Sequence, residues 1–391
     1  MRQKYFVLSE ELDSISQNGL LRNLLPLPST TGKFIYEGRE IINLSTNDYL
    51  NLSTSPEVIK AGIESLEKYG AGVTASRLVT GHLPIHEKLE NSLAQLTDFE
   101  SSLVFGSGFL SNLGVINAIA NRNDEIYADK LNHASLIDGV LLSGAKSFRY
   151  KHKDLDHLEM LLKNSKTTGK KIIISDSVFS MDGDIAPVKE LFELSEKYEA
   201  FLIVDEAHAI GVFGNGGGIT KSLGQNYKPD IVLGTLSKAI GCYGGFASVN
   251  KILQKYFINK SRTFIYSTGL PPSCIGSAIS AIDLIKNDIS LGNKLLKNAK
   301  IFHSLLESSG FSMNKFESQI IPVLIGDNKK TLEFSEKLFN NYDIRAVAIR
   351  PPTVPLGTAR LRLSVSLAHT EEDLKLSAEK IRLCAKEIGI L

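Results

Sequence analysis

The amino-acid sequence predicts an α/β fold with a mostly parallel central sheet, followed by a smaller α+β domain. From about residue 46 to residue 285, short runs rich in β-forming residues alternate with stretches in which apolar residues recur at the helical period. The clearest strands are Ser102–Phe105, Glu125–Ala128, Lys171–Ser175, Phe201–Val204, Ile231–Gly234 and Phe246–Val249. Because strands that alternate with helices form parallel sheets covered on both faces, we expect one such sheet here, with helices such as Lys189–Tyr198 packed against it.

Changes in this pattern divide the chain into three parts. Residues 1–45 are predicted to form an N-terminal arm, in which a helix over Leu12–Leu21 precedes a segment broken by prolines and Gly32. Residues 46–285 are predicted to form a large domain, and residues 286–391 the smaller C-terminal α+β domain. The elements expected in this last part are helices over Asn293–Ser308 and Thr331–Asn340 and strands over Gln319–Ile325, Ile344–Ile349 and Leu361–Ser366.

The composition is that of an ordinary globular protein, since 43% of the 391 residues are hydrophobic and 22% are charged. The 44 basic and 43 acidic residues give no overall bias towards nucleic acid. The longest apolar runs have about half the residues that a membrane span needs, and the first residues lack a secretory apolar core. Cys242, Cys274 and Cys384 are too widely spaced for a disulfide framework or a zinc site. We therefore expect a cytoplasmic protein without a metal, a membrane or a nucleic-acid partner.

An acid and a lysine follow two strands that are expected to be neighbours in the sheet. Phe201–Val204 ends at Asp205, and Ile231–Gly234 is followed by Thr235 and Lys238. In α/β folds, ligands bind at the carboxyl ends of the strands. A carboxylate that holds a protonated pyridine nitrogen and a lysine that forms an imine are what pyridoxal 5′-phosphate (PLP) requires. The pair therefore predicts a PLP site, with a surface lysine and a helix-capping aspartate as the structural alternatives.

A Gly-Ser-Gly turn at 106–108 lies where a strand passes into a helix, so free backbone amides there would bind a phosphate. Such a turn is as often an ordinary loop. The phosphate site is favoured here because Asp205 and Lys238 occupy other strand ends. Thr235 would add a hydroxyl to the same phosphate. His208, three residues after Asp205, would hydrogen-bond the phenolic oxygen of the ring.

The run Asp-Glu-Ala-His at 205–208 also spells the magnesium-binding box of DEAH helicases. A motor of that class needs a phosphate loop of the form G-x-x-x-x-G-K-[ST]. The chain has no such run, because the Gly-Lys pairs at 32–33 and 169–170 are followed by Phe34 and Lys171. A nucleic-acid motor is therefore the weaker alternative.

Seven segments carry a family resemblance. They are STNDYL at 45–50, SRLVTG at 76–81, NHASLIDG at 132–139, VFSMDGD at 178–184, DEAHAIG at 205–211, TLSKAIG at 235–241 and YSTGLPP at 266–272. Together they resemble the α-oxoamine synthases, PLP enzymes that condense an amino acid with an acyl thioester and release CO2. The resemblance extends from about Asn43 to His369 and implies the fold of aspartate aminotransferase, PLP-dependent fold type I.

The resemblance also implies roles for individual residues. Lys238 would carry the Schiff base, Asp205 would hold the ring nitrogen, His133 would stack on the ring, and Ser180 and His208 would contact its phenolic oxygen. The whole cofactor-binding set would be Gly108, Phe109, His133, Ser180, Asp205, His208, Thr235, Lys238, Ser267 and Thr268. Since the family builds its sites at a homodimer interface, the resemblance implies a homodimer, with Ser267 or Thr268 supplied by the partner subunit.

The substrates follow from the same resemblance. Asn47 would lie near the substrate, and Arg362 matches the arginine that binds the carboxylate of the amino acid. The stretch IRPPTVPLGTARLRL at 349–363 resembles the biotin-pathway members, which join L-alanine to a pimeloyl thioester of coenzyme A or a carrier protein. Arg22 is then the candidate for the distal carboxylate of the pimeloyl chain, with a solvated surface position as the alternative. A sister synthase that uses glycine and an aminotransferase of the same fold remain the alternatives.

Overall fold

The computed structural model describes residues 3–391, whose contacts group them into two units. The first unit comprises the residues up to Asn47, Met181–Gly183 and Leu295–Leu391. The second comprises Asp48–Ser180 and Asp184–Lys294. The division of the chain at residues 45 and 285 stays a prediction.

The regular elements account for most of the described chain. The strands are β1 (Lys33–Tyr36), β2 (Arg39–Asn43), β3 (Ser101–Phe105), β4 (Glu125–Asp129), β5 (Lys146–Tyr150), β6 (Lys171–Asp176), β7 (Ala200–Asp205), β8 (Ile231–Thr235), β9 (Gly245–Val249), β10 (Ile320–Gly326), β11 (Ile344–Arg345), β12 (Val347–Ile349) and β13 (Ala359–Ser364). The helices are α1 (Phe6–Gln17), α2 (Pro56–Tyr69), α3 (Pro84–Thr97), α4 (Gly108–Ile119), α5 (Ala134–Ser143), α6 (Leu155–Lys163), α7 (Val188–Lys197), α8 (Ile219–Leu223), α9 (Lys251–Lys260), α10 (Arg262–Ile265), α11 (Pro272–Asn287), α12 (Leu291–Ser308), α13 (Asn328–Tyr342) and α14 (Glu371–Glu387).

A seven-stranded sheet forms the centre of the second unit, in the order β3-β9-β8-β7-β6-β4-β5. The five strands from β5 to β8 run parallel, whereas β9 is antiparallel to both β8 and β3. The side chains of Ile172–Ile174, Leu202–Val204 and Ile231–Leu233 are fully buried. Burial on both faces explains why these strands are continuous apolar runs, and the mostly parallel sheet predicted from the sequence is confirmed.

Strand β5 at the edge of this sheet was not among the predicted strands. It pairs with β4 alone, and Lys146, Ser147 and Arg149 are exposed. An edge strand of this kind lacks the buried apolar run that marks the central strands. The hydrophobic pattern therefore carries no signal for it.

Two three-stranded sheets belong to the first unit, in the orders β1-β2-β11 and β10-β13-β12. The segment Ile344–Ile349, predicted as one strand, is divided between them. Its first residues pair parallel with β2, and its last residues pair antiparallel with β13.

The helix of the N-terminal arm also differs from the prediction, because α1 spans Phe6–Gln17 rather than Leu12–Leu21. Asn18 and Gly19 still donate to carbonyls of the last turn, but Gly19 adopts a φ of 65°. A left-handed glycine at this position ends a helix. The apolar residues Leu20 and Leu21 therefore lie beyond the helix.

Neither a membrane span nor a metal cluster is found in the part of the chain that the structure describes. No helix there is both long enough and apolar enough to cross a bilayer. No group of three or more His, Cys, Asp or Glu side chains among residues 3–391 is arranged to hold a metal ion.

Candidate active site

The carboxyl ends of β6, β7 and β8 place three polar side chains along one edge of the central sheet. These are Asp176, Asp205 and Thr235, each the last residue of its strand. Asp176 and Asp205 are direct neighbours in the parallel register, and both are almost fully buried. The sheet edge therefore carries two adjacent carboxylates, of which sequence reasoning identified one.

Lys238 lies in a tight loop that connects β8 to β9. Leu236 N donates to Gly244 O at 3.0 Å, and Gly241 N donates to Lys238 O at 2.8 Å. Gly241 has a φ of 71°, and a Cβ atom on it would lie 2.5 Å from the backbone nitrogen of Ser53. Only glycine fits at position 241 in this conformation, and the backbone hydrogen bonds of the loop fix the position of the Lys238 backbone.

Two buried side chains connect to the amine of Lys238. His208 Nε2 lies 2.8 Å from Lys238 Nζ, and His208 Nδ1 lies 2.7 Å from the hydroxyl oxygen of Tyr49. When Lys238 is an ammonium it donates to Nε2, so Nδ1 carries the imidazole proton and donates to the Tyr49 oxygen. The protonation state of Lys238 is therefore linked to the tautomer of His208. Tyr49, which is fully buried, was not assigned a role from the sequence.

Asp205 is held by a side chain from α4. Asn112 Nδ2 donates to Asp205 Oδ2 at 2.6 Å and to Ser135 Oγ at 2.9 Å, while Ala207 N donates to Asp205 Oδ1 at 2.9 Å. Such donors stabilise the ionised carboxylate and fix its direction. Sequence reasoning missed Asn112, although it lies four residues after Gly108 and therefore on the same face of the helix.

Asp176 lies in a setting that favours its protonated form. Burial, and then the charge of Asp205, raise the pKa of Asp176 well above its usual value, since two ionised carboxylates side by side in a buried site would repel each other. Asp176 Oδ2 accepts from His133 N at 2.8 Å. Asp176 thus fixes the backbone that carries the His133 ring.

His133 is the N-cap residue of α5 and is exposed on its open side. Its Nδ1 atom lies 2.8 Å from Ser135 Oγ. Partial burial lowers the pKa of the imidazole. The charge of Asp205 raises this pKa, and the charge of Lys238 lowers it further. A neutral imidazole that is anchored at one nitrogen and open on one face can stack on an aromatic ring.

The N-terminus of α4, a helix of 12 residues, lies against the end of β8. Ser107 Oγ caps the helix by accepting from Leu110 N at 3.2 Å. A Cβ atom on Gly108 would lie 3.1 Å from Thr235 Cβ, so glycine lets the helix begin beside Thr235. The amides of Gly108 and Phe109 precede the first intrahelical hydrogen bonds, and amides in this position bind phosphate.

The hydroxyl of Thr235 is already engaged within the Lys238 loop. It donates to Gly244 O at 2.9 Å and accepts from Ser237 N at 3.2 Å. Ser237 is exposed, and its hydroxyl oxygen lies 2.7 Å from Thr235 Oγ1. Because the single proton of Thr235 goes to Gly244 O, the hydroxyl of Ser237 donates to Thr235 Oγ1, and Ser237 is a further residue to which sequence reasoning assigned no role.

The other predicted cofactor contacts of the second unit lie on two loops. Ser180 is half-buried and is the third residue of the VFSMDGD segment. Ser267 is half-buried, and Thr268 is exposed and forms an isolated antiparallel bridge with Ser76. The contribution of Ser267 or Thr268 to a partner's site stays a prediction.

The first unit contains the three residues predicted to bind substrate. Arg362, in β13, is 7% exposed, and its NH1 atom donates to Ser364 Oγ at 2.8 Å. Asn47 is half-buried and is the last residue of its segment of this unit. Arg22 is exposed, and its guanidinium donates to Pro351 O at 3.2 Å.

The side chains gathered in the second unit fit PLP group by group. Asp205 offers a fixed carboxylate to a pyridine nitrogen, and Lys238 offers an amine to an aldehyde. The N-terminus of α4 offers amide donors to a phosphate, and Gly108 leaves room for it beside Thr235. His133 offers an aromatic face. This arrangement can hold an aromatic cation and deliver a base next to it.

Comparisons with known proteins agree with this chemistry. The sequence model of the aminotransferase class I and II family matches residues 39–381. A protein of Bacillus cereus named "Putative 8-amino-7-oxononanoate synthase" is 43% identical over 385 residues, which are 97% of each chain. Serine palmitoyltransferase from S. paucimobilis with bound PLP–myriocin superposes with a TM-score of 0.92 at 29% identity, over 99% of each chain. The 8-amino-7-oxononanoate synthase of Francisella tularensis superposes with a TM-score of 0.76 at 30% identity, over 89% of this chain and 98% of that chain.

These matches extend over nearly the whole chain, and the sequence motifs agree with them. The PLP named with the transferase structure is also the cofactor that the strand-end side chains fit. The chain belongs to the aminotransferase class I and II family and, within it, to the PLP-dependent α-oxoamine synthases.

Proposed function

We propose that the protein condenses L-alanine with a pimeloyl thioester to give 8-amino-7-oxononanoate, CO2 and the free thiol. The observation that carries this proposal is the full-length similarity, at 41–43% identity, to relatives that are named as that synthase. Arg22 and Arg350, in the first unit, support the choice of a pimeloyl thioester as the acyl donor. The thiol carrier is either coenzyme A or a carrier protein.

The strand-end residues hold the cofactor. Bound PLP supplies a ring that accepts the electron pair released at the α-carbon of the amino acid. Asp205 keeps the ring nitrogen protonated, and a neutral Asp176 adds no second charge that would compete for it. His133 would cover one face of the ring, and Ser180 and His208 would contact its phenolic oxygen. Gly108, Phe109, Thr235 and Ser237 would hold the phosphate.

Lys238 attaches the cofactor and then acts as the base. Once its amine is released, Lys238 removes the α-proton of alanine, and it returns a proton to the same carbon after CO2 has left. His208 Nε2, 2.8 Å away, orients the amine. Because His208 also bonds the Tyr49 hydroxyl, its tautomer can follow the proton on Lys238.

Arg362 binds the carboxylate of alanine. Its side chain is almost fully buried in β13 and is oriented by Ser364. A guanidinium held in this way offers a carboxylate two parallel hydrogen bonds. Asn47 lies near the same substrate.

Arg22 binds the distal carboxylate of the pimeloyl chain, supported by Arg350. The Arg350 guanidinium donates to Gly19 O and to Leu21 O, and so holds the segment that precedes Arg22. Burial, and then the charge of Arg22, lower the pKa of Arg350, which indicates that the two cations lie close together. The charge of Glu336 acts on the pKa of Arg350 in the opposite direction, but neither arginine forms a direct ion pair with an acidic side chain among residues 3–391. Two adjacent guanidiniums without a direct ion pair favour an anionic ligand, which a fatty acyl chain does not provide.

A sister synthase with another acyl donor is the second candidate. The observation in its favour is that serine palmitoyltransferase superposes better than the 8-amino-7-oxononanoate synthase of Francisella tularensis, with TM-scores of 0.92 and 0.76. All the strand-end residues would keep their roles in such an enzyme. Only the amino acid and the acyl chain would change.

We also propose that two copies of the chain build each site, with Thr268 or Ser267 reaching the phosphate of the partner's cofactor. Mixing Lys238→Ala with the double variant Ser267→Ala/Thr268→Ala after mild dissociation tests this, with each variant first assayed alone. A mixed dimer would contain one intact site, so activity should return. Two variants that stay inactive when mixed would indicate that each chain builds its own site.

The experiment that tests the proposed reaction measures free-thiol release by the PLP-loaded protein. Pimeloyl-CoA with L-alanine is compared with acetyl-CoA and succinyl-CoA with glycine, palmitoyl-CoA with serine, and a pimeloyl carrier protein with L-alanine. Release in a pimeloyl reaction alone is expected. Release only with glycine or serine would assign the protein to a sister synthase, and no release in any reaction would contradict the proposed substrates.

A further inference from the structure

A charged cluster lies outside the site described above, centred on His152 between β5 and α6. His152 Nδ1 lies 3.0 Å from Asp129 Oδ1, and Nε2 lies 2.8 Å from Asp184 Oδ2. A carboxylate can only accept, so both ring nitrogens donate and the imidazole is a cation. The ring of Phe179 meets it edge-on, with the ring centroids 4.4 Å apart.

The surroundings of His152 favour the cation. Burial alone would lower the pKa of His152, but its hydrogen bonds to Asp129 and Asp184 outweigh burial and raise the pKa to about 9. Lys153 is the other charged group in the cluster: its backbone nitrogen donates to Asp129 Oδ2 at 2.9 Å, and its Nζ lies 3.0 Å from Asp184 Oδ2. The two acids are therefore balanced by two cations.

The two acids belong to segments that each carry a proposed cofactor contact. Asp129 ends β4 and accepts from Leu131 N at 2.8 Å, in the turn that leads to His133. Asp184 O accepts from Phe179 N at 3.0 Å, so Asp184 belongs to the hairpin in which Ser180 follows Phe179. His152 belongs to neither segment, since it lies 23 residues from Asp129 and 32 residues from Asp184 in the sequence. Its ring connects the two segments through these hydrogen bonds.

We propose that His152 is a positioning residue: as an imidazolium bound to both Asp129 and Asp184, it holds the His133 turn and the Ser180 hairpin at a fixed separation. The inference rests on the proposed roles of His133 and Ser180. We expect a local effect, because neither Asp129 nor Asp184 belongs to the set that holds the cofactor. Loss of the charge on His152 should therefore alter the orientation of the bound PLP ring while the fold is kept.

The test uses the full-length protein and three variants. His152→Gln removes the cation, and Asp184→Asn removes one of its partners with little change in shape. His157→Gln is the control, because the His157 ring accepts from the backbone nitrogen of Lys151 in the same segment but has no proposed link to the site. Two properties are measured against pH: the chemical shifts of the histidine rings by NMR, and the circular dichroism of the cofactor band, which depends on the orientation of the bound ring.

In the wild-type protein we expect the His152 ring to titrate near pH 9, and part of the dichroism to change over the same range. His152→Gln should show the high-pH dichroism already at neutral pH and bind PLP about tenfold more weakly, since a charged hydrogen bond is lost. Asp184→Asn should lower the pH at which His152 titrates. His157→Gln should match the wild type in every measurement.

Three results would overturn the proposal. One is a His152 ring that titrates near the ordinary value for histidine in the wild-type protein. Another is wild-type dichroism at neutral pH in His152→Gln. If that variant does not fold, unchanged dichroism and titration in Asp184→Asn would have the same meaning. A wild-type protein that binds no PLP would instead contradict the proposed function, while the NMR titration would still decide whether His152 is held as a cation.

Discussion

The Nε2 atom of His208 lies 2.8 Å from the Nζ atom of Lys238, although the two residues follow different strands of the central sheet. The contact joins the DEAHAIG and TLSKAIG segments, which are 30 residues apart at this point. It places the amine of Lys238 next to a group that can either accept or donate a proton. The proposed base of the reaction therefore has a defined hydrogen-bonding partner.

Replacing Lys238 with alanine should reduce turnover by at least about 10³-fold, because both the attachment of the cofactor and the base are lost. The fold should be kept, since Lys238 is only half-buried at a loop whose backbone bonds do not involve its side chain. Thiol release and thermal unfolding measure the two effects. Lys221→Ala, which removes a lysine that donates to Leu96 O in the same unit, is the control for activity. Full turnover by Lys238→Ala would remove this residue from the mechanism.

Replacing Tyr49 with phenylalanine should reduce kcat about tenfold, because His208 Nδ1 loses its partner and the tautomer is no longer fixed. The matched control is Tyr127→Phe, which also removes a fully buried hydroxyl, one that donates to Glu125 Oε2 at 2.7 Å. Both variants should lose about 1 kcal/mol of unfolding free energy. Only Tyr49→Phe should shift the pH dependence of kcat. Equal pH profiles for the two variants would contradict a link between Tyr49 and the base.

Replacement by asparagine should reduce turnover at Asp205 but have little effect at the neighbouring Asp176. Asp205→Asn removes the charge that keeps the ring nitrogen protonated, so turnover should fall roughly 100-fold while the cofactor still attaches to Lys238. Asp176→Asn replaces a neutral acid with a neutral amide, whose oxygen can still accept from His133 N, and should keep most of the activity. Thiol release and the absorbance of the bound cofactor measure both. Normal turnover in Asp205→Asn would contradict the role of Asp205.

Asp176 should also affect the pH dependence of stability. Its pKa is raised by folding, so its contribution to the unfolding free energy is fully present below the pKa of an unfolded aspartate and is lost as the pH rises through the folded value. Asp176→Asn should remove this dependence and leave the stability at neutral pH unchanged or higher. Denaturant unfolding at several pH values measures it. A large loss of stability at neutral pH would mean that Asp176 is ionised in the folded protein.

Replacing Arg22 with glutamine should raise the KM for pimeloyl-CoA about tenfold, because one of two cations facing the distal carboxylate is lost. Heptanoyl-CoA, which has the same chain length without that carboxylate, should be used no less well than by the wild type. Arg39→Gln removes an arginine of the same unit that pairs with Asp343, and serves as the control. Equal effects of Arg22→Gln on both thioesters would assign Arg22 to the packing of the arm rather than to substrate binding.

Sequence reasoning singled out Asp205 and Lys238 because each stands near the end of a continuous apolar run. Asp205 is the last residue of β7, Lys238 lies three residues beyond the end of β8, and neighbouring parallel strands bring their carboxyl ends to the same side of the sheet. The central sheet was predictable for the same reason. The position of β5 was not, because a solvent-exposed edge strand has no run of buried residues to mark it.

The residues that support the pair could not be found in this way. Asn112 is an ordinary polar residue in an apolar helix, and only the packing of α4 against the sheet shows that it faces Asp205. Asp176 ends a strand as Asp205 does, but its role depends on which strand lies beside it, which is a property of the sheet order. Tyr49 meets His208 across 159 residues of sequence. Such contacts follow from tertiary packing, for which one sequence gives no periodic signal.

Helix α4 carries Gly108 at its first residue and Asn112 four residues later, so one turn of a single helix bears both the amides proposed to bind the phosphate and the side chain that donates to Asp205. With a rise of 1.5 Å per residue, these two positions are about 6 Å apart along the helix axis. That spacing belongs to a rigid element and not to a loop. Inserting or deleting a residue between Gly108 and Asn112 would rotate the two groups to different faces, so the pitch of this helix sets the spacing between the proposed phosphate site and the support for Asp205.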